Sequence, residues 1–442
     1  MGEKVTLVGG GLAGSLMAIY LAKRGYEVHM YERRPDMRSG QYQGGRSINL
    51  ALSTRGINAL SRVGLVDDIL KIAIPMKGRQ MHDRQGNLNY QPYGHADQAI
   101  YSVSRGELNI RLLQLADQFP NIHMQFETRC VHCDFQTGET RYVDSDGYEF
   151  ADKADIVLAT DGAYSAVRDT MMRTTGFDYS QAYESHGYKE LEIVPGANGT
   201  FQMEENALHI WPRASFMMIA LPNPGGNFTC TLFLDENEIN ALDTPEKVKA
   251  FFDKEFADAV PMMPHLVEDF FNNPTGSLVT MRCYPWVKGK AALMGDSAHA
   301  VVPFYGQGMN CSFEDCVVLD DCLEKYQGDW EKSLAEYQIK RKHNADAIDT
   351  LAVQNFIEMR DLVGQPEFLR KKRLEHALSE LYPGVYKSQY ERVTFSNEDY
   401  AEALRMGSAN DALLQHIIDE DLENELENRE QMLGLMAQFQ AC

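Results

Sequence analysis

The stretch KVTLVGGGLAGSLMAIYLAKRGYEVHMYE (residues 4–32) decides the fold. Lys4 to Val8 reads as an apolar strand, Gly9 to Gly11 as a tight turn, Ala13 to Arg24 as an Ala/Leu-rich helix and Glu27 to Glu32 as a second strand. This βαβ unit is half of a nucleotide-binding domain. Gly9, Gly11 and Gly14 form a G-x-G-x-x-G pattern in the context it requires, between a strand and a helix. The first glycine permits the turn, the second lets backbone approach a pyrophosphate, and the third lets helix and strand pack closely, with the phosphates on the positive end of the helix. Glu32 closes the second strand, placed to accept both hydroxyls of an adenosine ribose. Leu12, Ala13, Arg33 and Arg34 complete the candidate nucleotide contacts of this unit.

Working outward, 442 residues with 44% apolar side chains suffice for two or three domains with their own cores. No run approaches the roughly 20 apolar residues of a membrane span, and the N-terminus leads directly into a strand. A cytoplasmic protein without a membrane anchor is therefore expected. The formal charge of -22 excludes a basic nucleic-acid surface, and the acidic run from Asp419 to Glu430 reads as a solvated helix face. Eight scattered cysteines suit a reducing compartment; Cys130 and Cys133 lie in the strand-like TRCVHCDF without further ligands, so no metal is expected.

Farther along, Asp155 to Ala159 is a buried strand, and Leu108 to Ala116 carries a further structured segment. From Gly187 to about Leu234 the pattern changes to KELEIV, ALHIW to FMMIALP and FTCTLFL, alternating runs divided by Pro, Gly and Asn that predict an inserted antiparallel sheet. At Lys290 the chain returns to a buried strand, AALMGD, then a glycine turn and a helix from Met309 to Leu323. Beyond Trp330 the text is helical, with Pro366 and Pro383 as breaks.

Two segments extend the nucleotide reading. Asp161-Gly162-Ala163-Tyr164-Ser165-Ala166-Val167-Arg168 follows the strand ADIVLAT, and Gly295-Asp296 follows AALM. Both resemble the DG and GD motifs of the para-hydroxybenzoate hydroxylase-like flavin monooxygenases. That resemblance implies FAD, with Asp161 in the cofactor site, Asp296 on the ribitol, and the turn through Gly308, Met309 and Asn310 beneath the isoalloxazine. The following helix would aim its positive end at the negative charge of the reduced ring. Ala51 and Arg105 carry over as further cofactor contacts. The implied fold class is α/β: a discontinuous Rossmann-type FAD-binding domain (1–73, 98–178 and 275–330), an inserted antiparallel-sheet substrate domain (74–97 and 179–274) and a C-terminal helical region (331–442).

GRSINLALSTRG (45–56), PYG (92–94), SVSRGELN (102–109), HGYKEL (186–191), ALHIWP (207–212), GDSAHAVVPFYGQGMNCSFED (295–315), QNFIEM (354–359) and YERVTFS (390–396) resemble, more closely, the kynurenine 3-monooxygenases, in their bacterial form without a membrane anchor. The likeness runs to about residue 405 and implies L-kynurenine, NADPH and O2 as substrates, a C4a-hydroperoxyflavin, and 3-hydroxykynurenine as product. A zwitterionic amino acid with an ortho-aminophenyl ketone needs a cation, neutral polar groups and an apolar slot. The resemblance assigns Arg79 and Tyr93 to the carboxylate, with Asn355 and Tyr390 as further polar contacts. Strand parity independently puts Ile219 with Leu221, and Thr231 with Phe233, on single faces, with Leu208, Pro303, Phe304 and Tyr305 left to close the slot.

An aniline nitrogen already activates the ring, so no dedicated catalytic acid or base is expected. NADPH has no second fingerprint and would dock transiently. The sequence leaves open a homodimer, a same-fold hydroxylase of another aromatic acid, and a non-catalytic FAD-binding redox module.

Overall fold

The computed structural model describes residues 2–40, 49–95, 98–359 and 365–441. Its first layer is a six-stranded sheet in the order Val287–Lys288, Ala291–Leu293, Ile156–Ala159, Lys4–Val8, Glu27–Tyr31, Ile122–Gln125. All neighbours are parallel except the short pair at the Val287 edge. The central strands are buried along almost their whole length, as a parallel sheet covered by helices requires. Helices Leu12–Lys23, Arg105–Ala116 and Gly308–Lys325 pack with it into one core. Gly9 sits at φ +106°, and a Cβ on Gly14 would lie 2.0 Å from the Gly9 carbonyl oxygen, so both positions need glycine for the helix to meet the strand.

The second layer is an eight-stranded sheet in the order His299–Ala300, Gly276–Tyr284, Asp178–Ile193, Phe228–Asp235, Met217–Pro222, Ala207–Pro212, Gly78–His82, Leu88–Pro92. Every neighbouring pair is antiparallel except Ala207–Pro212 with Gly78–His82. On one face Leu191, Trp211, Met218 and Leu232 bury a core against helices Pro245–Glu255 and Leu266–Asn272. The other face turns toward the nucleotide domain and carries Met217, Ile219 and Phe233.

Two expected boundaries move. Gly276–Tyr284, grouped by sequence with the nucleotide domain, pairs with Asp178–Ile193 in the large sheet; its burial does not alternate cleanly, so no two-residue period marks it. Ile74–Met76 leaves the large sheet and pairs with Ile100–Ser104, which also pairs with Asn49–Leu52.

The C-terminal region is helical: Trp330–Ile357, Pro366–Leu381, Gln389–Thr394, Tyr400–Asp419 and Arg429–Gln440. Pro366 opens its helix, where a missing N–H costs nothing. Ile348, Leu351 and Phe356 join the cavity-facing side of the large sheet in one core, while Leu378, Ile417 and Met432 close a separate one. No helix among the described residues is long and apolar enough to cross a membrane.

Candidate active site

Two cavities, of about 580 and 320 Å³, meet between the sheets. They share a wall made by Asn49, Ala51, Ala163, Asp296, Val301, Pro303 and Gly306. The larger is lined by Gly9, Gly11, Leu12, Ala13, Glu32, Arg33, Arg34, Ala51, Arg105, Asp161, Asp296, Gly308 and Met309.

What this cavity accepts is set by two helix ends. Leu12–Lys23 and Gly308–Lys325 both begin on its wall with no capping side chain and no acidic residue in the first turn. Their leading N–H groups and dipoles are thus left for an anionic ligand. One end suits a pyrophosphate, the other a flavin ring that carries negative charge when reduced. The residues fit FAD.

Glu32 is already engaged. It accepts the Gly10 N–H at 2.8 Å, the Arg34 N–H at 2.9 Å and the Arg34 guanidinium at 2.8 and 3.3 Å. Burial pushes its carboxyl up, but Arg34 and the backbone more than offset this and hold it below the ordinary range. A ribose diol therefore reaches Glu32 only in exchange for the Arg34 guanidinium.

Asp161 and Asp296 divide the work expected of them. Asp161 accepts the Ala166 N–H at 2.8 Å and the Ser297 hydroxyl at 3.1 Å, and Arg168 donates to the Ser297 carbonyl at 2.9 Å, so the first motif braces the second. Asp296 is solvent-accessible and lines both cavities, where desolvation by the surrounding protein raises its carboxyl against the influence of Arg105. Gly14 serves packing and does not line the cavity.

The Asn310 side chain is fully buried: it donates to the Ala51 and Gly306 carbonyls at 2.8 and 2.9 Å and accepts the Ser53 N–H at 3.0 Å, so it shapes the turn, and only the backbone of this residue is placed for a ligand at the helix end.

The smaller cavity brings together Arg79, Tyr93, Leu208, Ile219, Leu221, Thr231, Phe233, Pro303, Phe304, Tyr305 and Tyr390. Ile219 pairs with Thr231 and Leu221 with Thr229, which puts these side chains on one face. Tyr93 and Tyr390 stack at 5.0 Å, Tyr305 stacks on Tyr390 at 5.7 Å, and the Arg79 guanidinium lies 5.0 Å from the Tyr390 ring centroid. Burial disfavours the charge on Arg79, which is held against the Tyr93 and Tyr390 rings, 5.5 and 5.0 Å from their centroids, with Glu358 also favouring the charged form.

The Arg79 Nε–H and the Tyr93 hydroxyl are both buried without a hydrogen-bond partner among the described residues. Such groups are costly to leave unsatisfied. Asn355 is not one of these free contacts, because its amide donates to the Phe304 carbonyl at 2.7 Å and the Met359 sulfur at 3.3 Å. It fixes the wall of the cavity instead.

Sequence reading missed several lining residues. Met217 shares strand parity with Ile219 and was open to the same argument; Tyr188 and Met359 lie inside HGYKEL and QNFIEM. Met76 and Ile100 come from a sheet that no periodicity announced. Residues 45–48 of the motif GRSINLALSTRG lie outside the described residues.

The FAD binding domain family matches residues 3–351. Among curated proteins, a kynurenine 3-monooxygenase of Myxococcus xanthus is 49% identical over 421 residues, covering 94% of this chain and 90% of that one. One from Dictyostelium discoideum is 45% identical over 435 residues, covering 95% and 94%. The fold recurs in the tetrameric form of 2-methyl-3-hydroxypyridine-5-carboxylic acid oxygenase, with a TM-score of 0.66 at 19% identity over 84% of this chain and 95% of that one. It recurs also in p-nitrophenol 4-monooxygenase from Pseudomonas putida, at 0.65 and 18% over 96% and 98%.

Proposed function

The chain belongs to the kynurenine 3-monooxygenase family of FAD-dependent flavoprotein monooxygenases, and from that premise we propose that it converts L-kynurenine to 3-hydroxykynurenine with NADPH and O2. The observation that carries the substrate reading is the pair of unsatisfied donors on Arg79 and Tyr93 at one end of an otherwise apolar cavity. A substrate carboxylate supplies acceptors for both, and the guanidinium fork adds charge to the hydrogen bonds. The aryl ketone then extends between Ile219, Leu221 and Thr231 on one side and the Pro303–Tyr305 turn on the other, ending at the wall shared with the cofactor cavity.

FAD, when bound, supplies electron transfer from NADPH and oxygen activation. The chain's own residues bind, orient and exclude water. Arg79, Tyr93 and the tyrosine stack fix the amino-acid end, so that the aromatic ring is presented in one orientation. Phe233 and Phe356 pack against Phe304 of this turn, with ring centroids 4.9 and 3.9 Å away, and help to keep water out of the slot. The aniline nitrogen activates its own ortho carbon, so the reaction needs no side chain as acid or base. The seven described cysteines are all free, in keeping with the reducing cytoplasm in which we place the protein.

The test is direct. Purified holoenzyme with NADPH and L-kynurenine should consume O2 and yield a product heavier by one oxygen; NADPH oxidation unaffected by kynurenine would refute the substrate assignment.

A further inference from the structure

Arg79 sits on the strand Gly78–His82, whose alternate side chains, Gln80 and His82, point away from the cavity. That strand joins the rest of the large sheet through its parallel pairing with Ala207–Pro212, over four residue pairs from Ala207 with Gly78 to Ile210 with Met81. On the far face the same two strands are bridged by side chains. His209 Nε2 lies 2.8 Å from the Glu204 carbonyl oxygen, His209 Nδ1 lies 2.9 Å from His82 Nε2, and His82 Nδ1 lies 2.7 Å from Asp258 Oδ2. Trp211 stacks on His82 at 4.1 Å and donates its N–H to Asp258 at 2.9 Å. His82, His209 and Trp211 are all buried.

Protons can be counted along this chain. A carbonyl oxygen only accepts, so His209 Nε2 must carry a proton. Three links need three N–H groups, and two neutral imidazoles supply two. If His209 is neutral, its Nδ1 accepts from His82, and His82 needs a second proton to face the Asp258 carboxylate. Burial pushes His209 down to about 4, which keeps it neutral. Burial raises Asp258, but His82 and Trp211 more than offset this and keep it ionised. The extra proton therefore belongs to the His82–Asp258 link.

We propose that the chain from Glu204 through His209 and His82 to Asp258 is a clamp holding one shared proton, and that it positions Arg79 for the substrate carboxylate. His82 and Asp258 are positioning residues; neither touches the cavity. The other charges nearby have their own partners. Arg213 donates to the His82 carbonyl at 3.0 Å and to the Glu255 carbonyl at 2.7 Å, and Glu255 pairs with Arg84 and Lys254, each at 2.9 Å. Asp83 is taken by the N–H groups of Gln85 and Asn87. The role of Arg79 rests on the functional reading above; the proton count does not.

Asp258→Asn separates this clamp from a merely structural polar cluster. The new amide can donate to His82 Nδ1 while its oxygen accepts from Trp211, so all three links survive with two neutral imidazoles. In holoenzyme with ¹⁵N-labelled histidine, wild type should show one imidazole protonated at both nitrogens, and Asp258→Asn should show none. Kynurenine affinity, read from the flavin absorbance, should stay within about twofold in Asp258→Asn and fall on the order of 3- to 30-fold in Asp258→Ala and His82→Phe. The Arg79 Nε–H resonance, assigned by its loss in Arg79→Lys, should shift in Asp258→Ala and not in Asp258→Asn.

A wild-type spectrum without a doubly protonated imidazole overturns the shared proton. An Arg79 resonance unmoved in every variant, or Asp258→Asn as weak as Asp258→Ala, overturns the positioning role. Wild type that binds no kynurenine, yet shows the expected proton and resonance shifts, refutes the substrate reading and supports the clamp.

Discussion

Arg79 is where substrate recognition can be separated from flavin chemistry, because it lines the smaller cavity and no part of the larger one. Replacing it with methionine removes a charge-assisted contact in a partly dry site, with an expected cost of about 2 to 4 kcal/mol of kynurenine binding. Affinity measured by titration should fall about 30- to 1000-fold, at 1.4 kcal/mol per decade. FAD content should be unchanged. Arg79→Lys keeps the charge without the planar fork and should recover only part of the loss. A kynurenine analogue without its carboxylate should bind wild type weakly and be nearly indifferent to either substitution, which closes a cycle between side chain and ligand group. Wild-type affinity in Arg79→Met would remove the arginine as the carboxylate anchor. Tyr93 gives a milder version of the same experiment: its hydroxyl has no partner among the described residues, so Tyr93→Phe deletes only the contact made to the ligand.

At the scale of elements, the cofactor site depends on helix ends reaching the cavity, and glycines set that approach. A Cβ at position 14 would lie 2.0 Å from the Gly9 carbonyl oxygen and 2.6 Å from Thr160 Oγ1. Backbone at Gly9 cannot yield as a side chain does, so Gly14→Ala should displace the helix and lower the flavin-to-protein absorbance ratio of purified enzyme; a full FAD complement would show that the contact can relax. This dependence was legible in the sequence because G-x-G-x-x-G couples a fixed spacing to a fixed strand, turn and helix. Parity likewise exposed the cavity face of Met217–Pro222 and Phe228–Asp235, since alternation is a local property. The direction of amide side chains was not legible: Asn310 and Asn355 both serve backbone carbonyls that come near only in the folded chain. Gly276–Tyr284 also lacks a clear period, so its place in the large sheet is set by a pairing that only the folded chain shows. The tail could be read as helical, but only the structure shows Tyr390 stacked between Tyr93 and Tyr305. Tyr390→Phe keeps the stack and removes the hydroxyl, so kynurenine turnover should fall, or the share of NADPH lost to H2O2 should rise, with FAD content constant. Unchanged turnover and coupling would leave that hydroxyl without a role.

Across the whole molecule, the nucleotide domain and the C-terminal helices are joined by buried charge. Arg341, on Trp330–Ile357, pairs with Asp315 at 2.7 Å and Glu314 at 2.5 Å on the cofactor helix, and Glu314 also pairs with Arg55. Arg55 reaches on to the Glu398 carbonyl and lies 3.8 Å from the Tyr400 ring centroid, while His299 completes the set on Asp315 at 2.6 Å. His299, Cys311 and Asp315 have ligand atoms close enough together to hold a metal ion, but Arg341 already donates to Asp315 and to the Cys311 sulfur, so the positive charge at that point is a guanidinium. Asp315 also accepts the Gly295 N–H at 2.8 Å, which ties the network to the turn that carries Asp296. Removing one partner of a buried pair leaves the other uncompensated, and Asp315→Asn should cost about 3 to 5 kcal/mol of stability at neutral pH. The pH dependence has a definite sign. Burial raises the Asp315 carboxyl, yet His299 and Arg341 hold it below its ordinary value. A carboxyl depressed in the folded state contributes stability that is present above its unfolded pKa of about 4 and is lost as pH falls through the folded value. The difference in melting temperature between wild type and Asp315→Asn should therefore be largest near neutrality and shrink once the pH drops below about 4. Differential scanning calorimetry on both proteins, each fully loaded with FAD, measures it. A difference that stays constant from neutral to acid pH would mean that Asp315 is not held ionised by this network.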